Sequence, residues 1–133
     1  MNIESIGVVR SDLVDPGDAP RQGDEGAPDA WLEIDEAVRS GLEGIQAGTE
    51  LLVLTWFDRA RRDVLSVHPR GDMGRPEIGV FLTRSPDRPN PIGLHRVTVM
   101  EVGRGRLRVG PIEAVDGTPV VDIKPVLGTV DER

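Results

Sequence analysis

Apolar and polar positions along this chain follow strand periods far more than helical ones. Leu94-His95-Arg96-Val97-Thr98-Val99-Met100 alternates as a half-buried strand should, and Gly79-Val80-Phe81-Leu82 is an apolar run of strand length. Leu51-Leu52-Val53-Leu54-Thr55-Trp56-Phe57 is the most apolar stretch, and its shortness predicts a strand buried on both faces. Further strands are predicted over 3–10, 31–34, 64–67, 78–83, 94–102, 106–109, 112–115 and 120–123. One short helix is expected, capped by Asp35, passing through Val38 to Leu42 and ended by Gly41 or Gly44. Residues 11–29 are rich in proline, glycine and acids and read as a loop long enough to be functional. Val102-Gly103-Arg104-Gly105-Arg106 and Val115-Asp116-Gly117-Thr118 are turn signals at hairpin spacing. The pattern predicts an all-β fold: a small single-domain β-barrel of about seven strands over residues 1–133, with one short helix.

Between two predicted strands lies a loop that can be neither strand nor helix. Pro86, Pro89 and Pro91 remove three backbone donors, and each forces its predecessor out of the helical region. Ser85, Arg88 and Asn90 are therefore expected to be extended, with side chains directed outward. Two arginines, an asparagine and an aspartate on so stiff a loop have little entropy left to lose on binding. A proline-rich turn with solvated charges is the competing reading.

At 133 residues the chain is large enough for a normal core. It has no cysteine, which excludes disulfides, thiolate metal sites and cysteine nucleophiles, and its two histidines leave little for a metal site. No apolar run approaches the ~20 residues that cross a bilayer and no signal-peptide pattern opens the sequence, so a cytoplasmic protein with no membrane partner is expected. The net charge of −7 argues against a simple nucleic-acid binder, but it is unevenly spread. Residues 1–58 carry 13 acids and 3 bases, residues 59–110 carry 5 acids and 11 bases, and residues 111–133 carry 5 acids and 2 bases. The basic segment contains the proline loop, which permits a local site for an anionic ligand.

Two unusual strings sharpen this picture. Thr83-Arg84-Ser85-Pro86-x-Arg88-Pro89-Asn90-Pro91-Ile92-Gly93-Leu94 is followed by Asp116-Gly117-Thr118-Pro119-x-x-Asp122-Ile123-Lys124-Pro125. With Ile6-Gly7-Val8-Val9-Arg10-Ser11 and Pro20-Arg21-Gln22, they resemble the TsaA-like family of TrmO-type tRNA methyltransferases over roughly residues 3–127. The resemblance implies a small β-barrel that dimerises with itself. It implies S-adenosyl-L-methionine as cofactor and methyl transfer to the exocyclic amine of threonylcarbamoyl-adenosine in tRNA. By motif alone no nucleotide-type cofactor would have been expected, since nothing reads as a Gly-rich strand–loop–helix.

Carried over position by position, the resemblance implies cofactor contacts at Gln22, Gly23, Asp24 and Glu25, at Asp58 and Arg59, at Arg84 and Leu94, and at Gly110, Pro111, Ile112 and Glu113. Glu113 or Glu25 can accept from ribose hydroxyls, Arg84 can pair with the methionyl carboxylate, and backbone groups of residues 110–112 can meet the adenine edge. Asn90 can read the acceptor base, and Arg88 and Lys124 can hold a phosphate or the threonyl carboxylate. Asp116 and Asp122 are the candidates to take the proton the amine loses, or to counter the sulfonium. An aspartate demanded by an Asp-Gly turn explains Asp116 equally well, and a partnered structural carboxylate explains Asp122 equally well. If tRNA binds, its phosphates meet residues 59–110, through Arg59, Arg61, Arg62, Arg70, Arg75 and Arg88.

The departures from the family pattern concentrate around aromatics. Asp58 stands where the family has a histidine, His95 where it has a serine and Val126 where it has a tyrosine; the chain has no tyrosine at all. Base stacking is left to Trp31, Trp56 or arginine planes. Two other classes therefore stay open: an enzyme that methylates a small molecule, and a non-catalytic cofactor-binding module.

Overall fold

The computed structural model describes residues 1–13 and 28–128. Six strands close a barrel in the order β1-β2-β7-β6-β3-β8, every neighbouring pair antiparallel. They are β1 (Gly7–Arg10), β2 (Ala30–Ile34), β3 (Glu50–Trp56), β6 (Ile92–Gly103), β7 (Arg106–Gly110) and β8 (Pro119–Pro125). Two further short strands, β4 (Ser66–Val67) and β5 (Ile78–Gly79), pair only with each other and form an arm between β3 and β6. The all-β barrel is therefore as the alternation predicts, with six strands in its wall.

Strand parity builds the core. On β6, Gly93, His95, Val97 and Val99 point inward while Ile92, Leu94, Arg96 and Met100 point out. The inward residues meet Val9, Leu32, Leu51, Val53, Leu107, Val109 and Val120, all essentially removed from water. Gly7 is required where β1 crosses β2, because a Cβ there would collide with the carbonyl oxygen of Glu33. Gly117, at φ 88°, supplies the left-handed residue of the Asp-Gly turn.

Four expectations are corrected. β3 is buried on one face only: Leu51, Val53 and Thr55 are buried while Leu52, Leu54 and Trp56 are half-buried on the outer wall. The run 78–83 holds a ladder only at Ile78–Gly79 and then curls into a 3-10 turn, Val80–Leu82, leaving Phe81 and Leu82 exposed. The Thr83 N–H and hydroxyl both close back on the Val80 carbonyl, which draws the chain away from a partner strand. Residues 112–115 make no ladder either. They follow a cis Gly110–Pro111 bond, and Ile112 donates its N–H to the Pro28 carbonyl while its side chain enters the core. The helix is a 3-10 helix, Glu36–Leu42, and Asp35 makes no side-chain cap to it.

Candidate active site

The antiparallel order of the barrel decides which loops meet. β1, β3 and β7 run one way and β2, β6 and β8 the other, so three connections emerge at the same end: residues 11–29, 57–91 and 111–118. Those segments carry most of the side chains singled out in the sequence. Gln22, Gly23, Asp24 and Glu25 belong to the first but lie outside the described residues. Gly110 packs on the neighbouring Asp29 so closely that a Cβ would strike its carboxylate, which ties the start of the third connection to the end of the first.

Arg88 is the internal strut of the proline loop. Its guanidinium donates to the carbonyls of Thr83 (2.9 Å), Ser85 (3.0 Å) and Val80 (3.2 Å). The outward orientation expected for Arg88 is thus corrected: prolines leave carbonyls without helical donors, and the half-buried guanidinium satisfies them from inside. Asn90 is exposed, and Arg62 donates to its Oδ1 at 2.8 Å while also donating to the Pro89 carbonyl at 2.7 Å. The Arg62 guanidinium lies 5.1 Å from the Trp56 ring centre. A groove of about 470 Å³ opens here, lined by Ile3, Trp56, Arg62, Asn90, Ile92 and Val121 among others. Arg84 is exposed, and among the described residues nothing engages its guanidinium.

Beneath these loops a polar chain crosses the barrel interior. His95 is 2% exposed; its Nε2 lies 2.7 Å from the Thr55 hydroxyl and its Nδ1 lies 2.6 Å from Glu113 Oε1. A carboxylate oxygen accepts, so the Nδ1–H donates to Glu113 Oε1, and the Thr55 hydroxyl shares a hydrogen bond with Nε2. Phe57 packs edge-on against the imidazole at 5.8 Å. Gly93 makes room, since a Cβ there would meet the Thr55 hydroxyl and the Phe57 ring. Among the described residues, no group of three His, Asp or Glu side chains could hold a metal ion, and no helix is long and apolar enough to cross a membrane.

Residues 8–132 match the family described as the tRNA-methyltransferase O N-terminal domain. The chain belongs to that family. It is 44% identical over 98% of its length to an S-adenosyl-L-methionine-binding protein of Archaeoglobus fulgidus, covering 93% of that protein. It is 40% identical, with the same coverages, to a probable S-adenosyl-L-methionine-binding protein of Methanothermobacter thermautotrophicus. The crystal structure of TrmO from Pseudomonas aeruginosa superposes on all of this chain with a TM-score of 0.75 at 27% identity. This chain spans 60% of that protein's length.

The remaining family-implied positions are distributed as follows. Asp58 and Arg59 are exposed just past β3, and Pro111 is exposed at the start of the third connection. Ile112 is fully buried, and its N–H is already spent on Pro28. Leu94 faces outward on β6, 41% exposed, opposite Leu54. Asp116 accepts from the Ser11 N–H at 3.0 Å and stands 3.9 Å from Arg10. Asp122 and Lys124 sit together on the outer wall of β8 as a 3.0 Å ion pair, so the barrel does not bring them among the loops. A second concavity of about 400 Å³ lies beside Asp116, between Ser11, Asp29, Trp31 and Arg108. By motif His95 stands out only as a departure from the family; its inward parity with Val97 and Val99 is the signal that it belongs to the interior.

Proposed function

We propose that this protein is an S-adenosyl-L-methionine-dependent methyltransferase of tRNA, acting on the exocyclic amine of threonylcarbamoyl-adenosine next to the anticodon. The observation that carries the reading is that connections at one barrel end bear an Arg84 that nothing engages among the described residues, a Glu113 tied down through one oxygen and an Asn90 with its carboxamide oriented. The donor set suits the cofactor. Arg84 offers a bidentate fork to the methionyl carboxylate, and Glu113 retains an oxygen to accept from ribose hydroxyls. When bound, the cofactor supplies an electrophilic methyl on a sulfonium whose charge disappears on transfer.

The chain's task is then chiefly geometric, since in-line transfer depends on holding acceptor and methyl close and aligned. Because Arg62 occupies Asn90 Oδ1, the asparagine presents its amide hydrogens to a base ring nitrogen. Arg88 keeps the loop under Asn90 in shape. Asp116, at the loop end, is better placed than Asp122 to take the proton leaving the amine. The apolar Phe81 and Leu82, 77% and 80% exposed on the arm, favour a homodimer in which they are covered, and light scattering giving a monomeric mass at micromolar concentration would remove that part.

A second reading has an observation behind it. Arg61 is held by Asp63, Arg62 by the proline loop and Arg88 by three carbonyls, so the basic segment offers fewer guanidiniums to phosphates than its charge suggests. That favours a small acceptor, or a binding role of the kind the archaeal relatives' names describe. Incubation with methyl-labelled cofactor and threonylcarbamoyl-modified tRNA, followed by mass spectrometry of the nucleosides, decides between them. Methylated nucleoside supports the tRNA reading; cofactor binding without any transfer to tRNA overturns it, and no binding at millimolar cofactor ends both.

A further inference from the structure

Glu113 has a problem that strand residues do not: it lies on a connection with no ladder to hold it, yet its side chain is only 14% exposed. A carboxylate so placed must be anchored or it will sample several rotamers. His95 supplies the anchor, from a rigid strand and from within the barrel, through a 2.6 Å bond to Oε1. The imidazole is itself fixed on its other nitrogen by Thr55, which is fully buried, and on its edge by Phe57. The ring thus meets a hydroxyl, a carboxyl group and an aromatic edge. An apolar residue would fill the site at less desolvation cost, as Val97 and Val99 do on the same face of β6.

We propose that His95 is a positioning residue: it holds Glu113 Oε1 so that Oε2 stays aimed at the cis-diol of the cofactor's ribose. The inference rests on the reading that the chain binds S-adenosyl-L-methionine. It explains why two buried polar side chains, Thr55 and His95, are strung in line towards a carboxylate at the loop end, and why Gly93 must leave room for Thr55 and Phe57, which hold the imidazole. The linkage is specific to the imidazole. Asparagine can place a donor near Nδ1, whereas glutamine reaches towards Thr55 and leaves Glu113 without its donor.

The test is calorimetric titration of the full chain with S-adenosylhomocysteine and with its 2′,3′-dideoxyribose analogue. His95→Gln should lose about tenfold in affinity for the first, the low end of the worth of a hydrogen bond to a charged group, and almost nothing for the second. His95→Asn should stay within about threefold of wild type for both. Equal losses for the two probes, or none, would overturn the proposal. So would a wild type that does not distinguish the probes, while a wild type that binds neither overturns the cofactor reading itself. If His95→Gln does not fold, the wild-type imidazole still reports. Its Nδ1–H proton resonance should shift on binding S-adenosylhomocysteine and not on binding the dideoxy analogue, and a resonance indifferent to both sinks the inference.

Discussion

Replacing Arg88 by alanine separates a strut from a ligand-binding group. The side chain donates to three carbonyls, those of Val80, Thr83 and Ser85, at 2.9 to 3.2 Å. Hydrogen bonds from a charged donor are worth roughly 1.5–3 kcal/mol each when their loss leaves an acceptor dry, which would bound the cost at roughly 5–9 kcal/mol. The true figure is smaller here. Thr83 and Ser85 are only half-buried, so water can replace the guanidinium, and the Val80 carbonyl keeps the Thr83 hydroxyl at 2.8 Å and its N–H at 3.0 Å. About 2 kcal/mol is the expected net loss, corresponding to a fall in Tm of about 5–10 °C for a domain of this size. Arg88→Lys should recover at most a third of it, since a point ammonium cannot fork to three carbonyls. Arg84→Ala is the contrast: among the described residues its guanidinium has no partner to lose, so Tm should hold within about 1 °C while S-adenosylhomocysteine affinity falls at least about tenfold. Thermal melts and calorimetry on the three variants check the set. If Arg88→Ala melts with wild type yet fails to bind substrate, the strut argument is wrong and Arg88 is a ligand-binding residue.

Gly93→Ala drives a methyl into the Thr55 hydroxyl and the Phe57 ring, which should cost about 2–3 kcal/mol by overpacking, and a denaturant midpoint equal to wild type would refute the close approach. Asp63 is held below its ordinary value of 3.8 by the hydrogen bond from Arg61, so the pair's stabilisation is present above that pH and lost as pH falls through the lowered value. Both side chains are largely exposed, so Asp63→Asn should leave the melt at pH 7 within about 1 °C and merely flatten its acid limb; a large drop at neutral pH would show a buried role. For tRNA, the engagement of Arg61, Arg62 and Arg88 lowers the number of phosphate contacts, and a log–log salt slope of about −2 to −3 is expected. A flat response across several salt concentrations would remove the tRNA reading and leave the small acceptor.

What could be read in the sequence, and what could not, divides by the range of the forces involved. Parity along β6 is local, so Leu94 to Met100 identified a barrel strand, and the Asp116-Gly117 turn needed only its own residues. The run 78–83 failed because its last turn is closed by a guanidinium from Arg88, five to eight residues downstream, and no window of hydropathy contains that donor. Residues 112–115 failed in the opposite way: their apolar alternation is genuine, but Ile112 and Ala114 plug the barrel end where no edge is left to pair with. The site shows the same division. Arg84 and Asn90 were legible in the sequence because their string is stiffened by three prolines, while Glu113 lies outside both unusual strings. The link between His95 and Glu113 was not, because eighteen positions and a hairpin separate them and only the antiparallel closure of the wall brings them within 2.6 Å. The departure at His95 therefore carries its meaning in three dimensions: a side chain that the motif alone marks as an exception becomes, once its strand position faces inward, the group that among the described residues meets the loop's carboxylate at 2.6 Å.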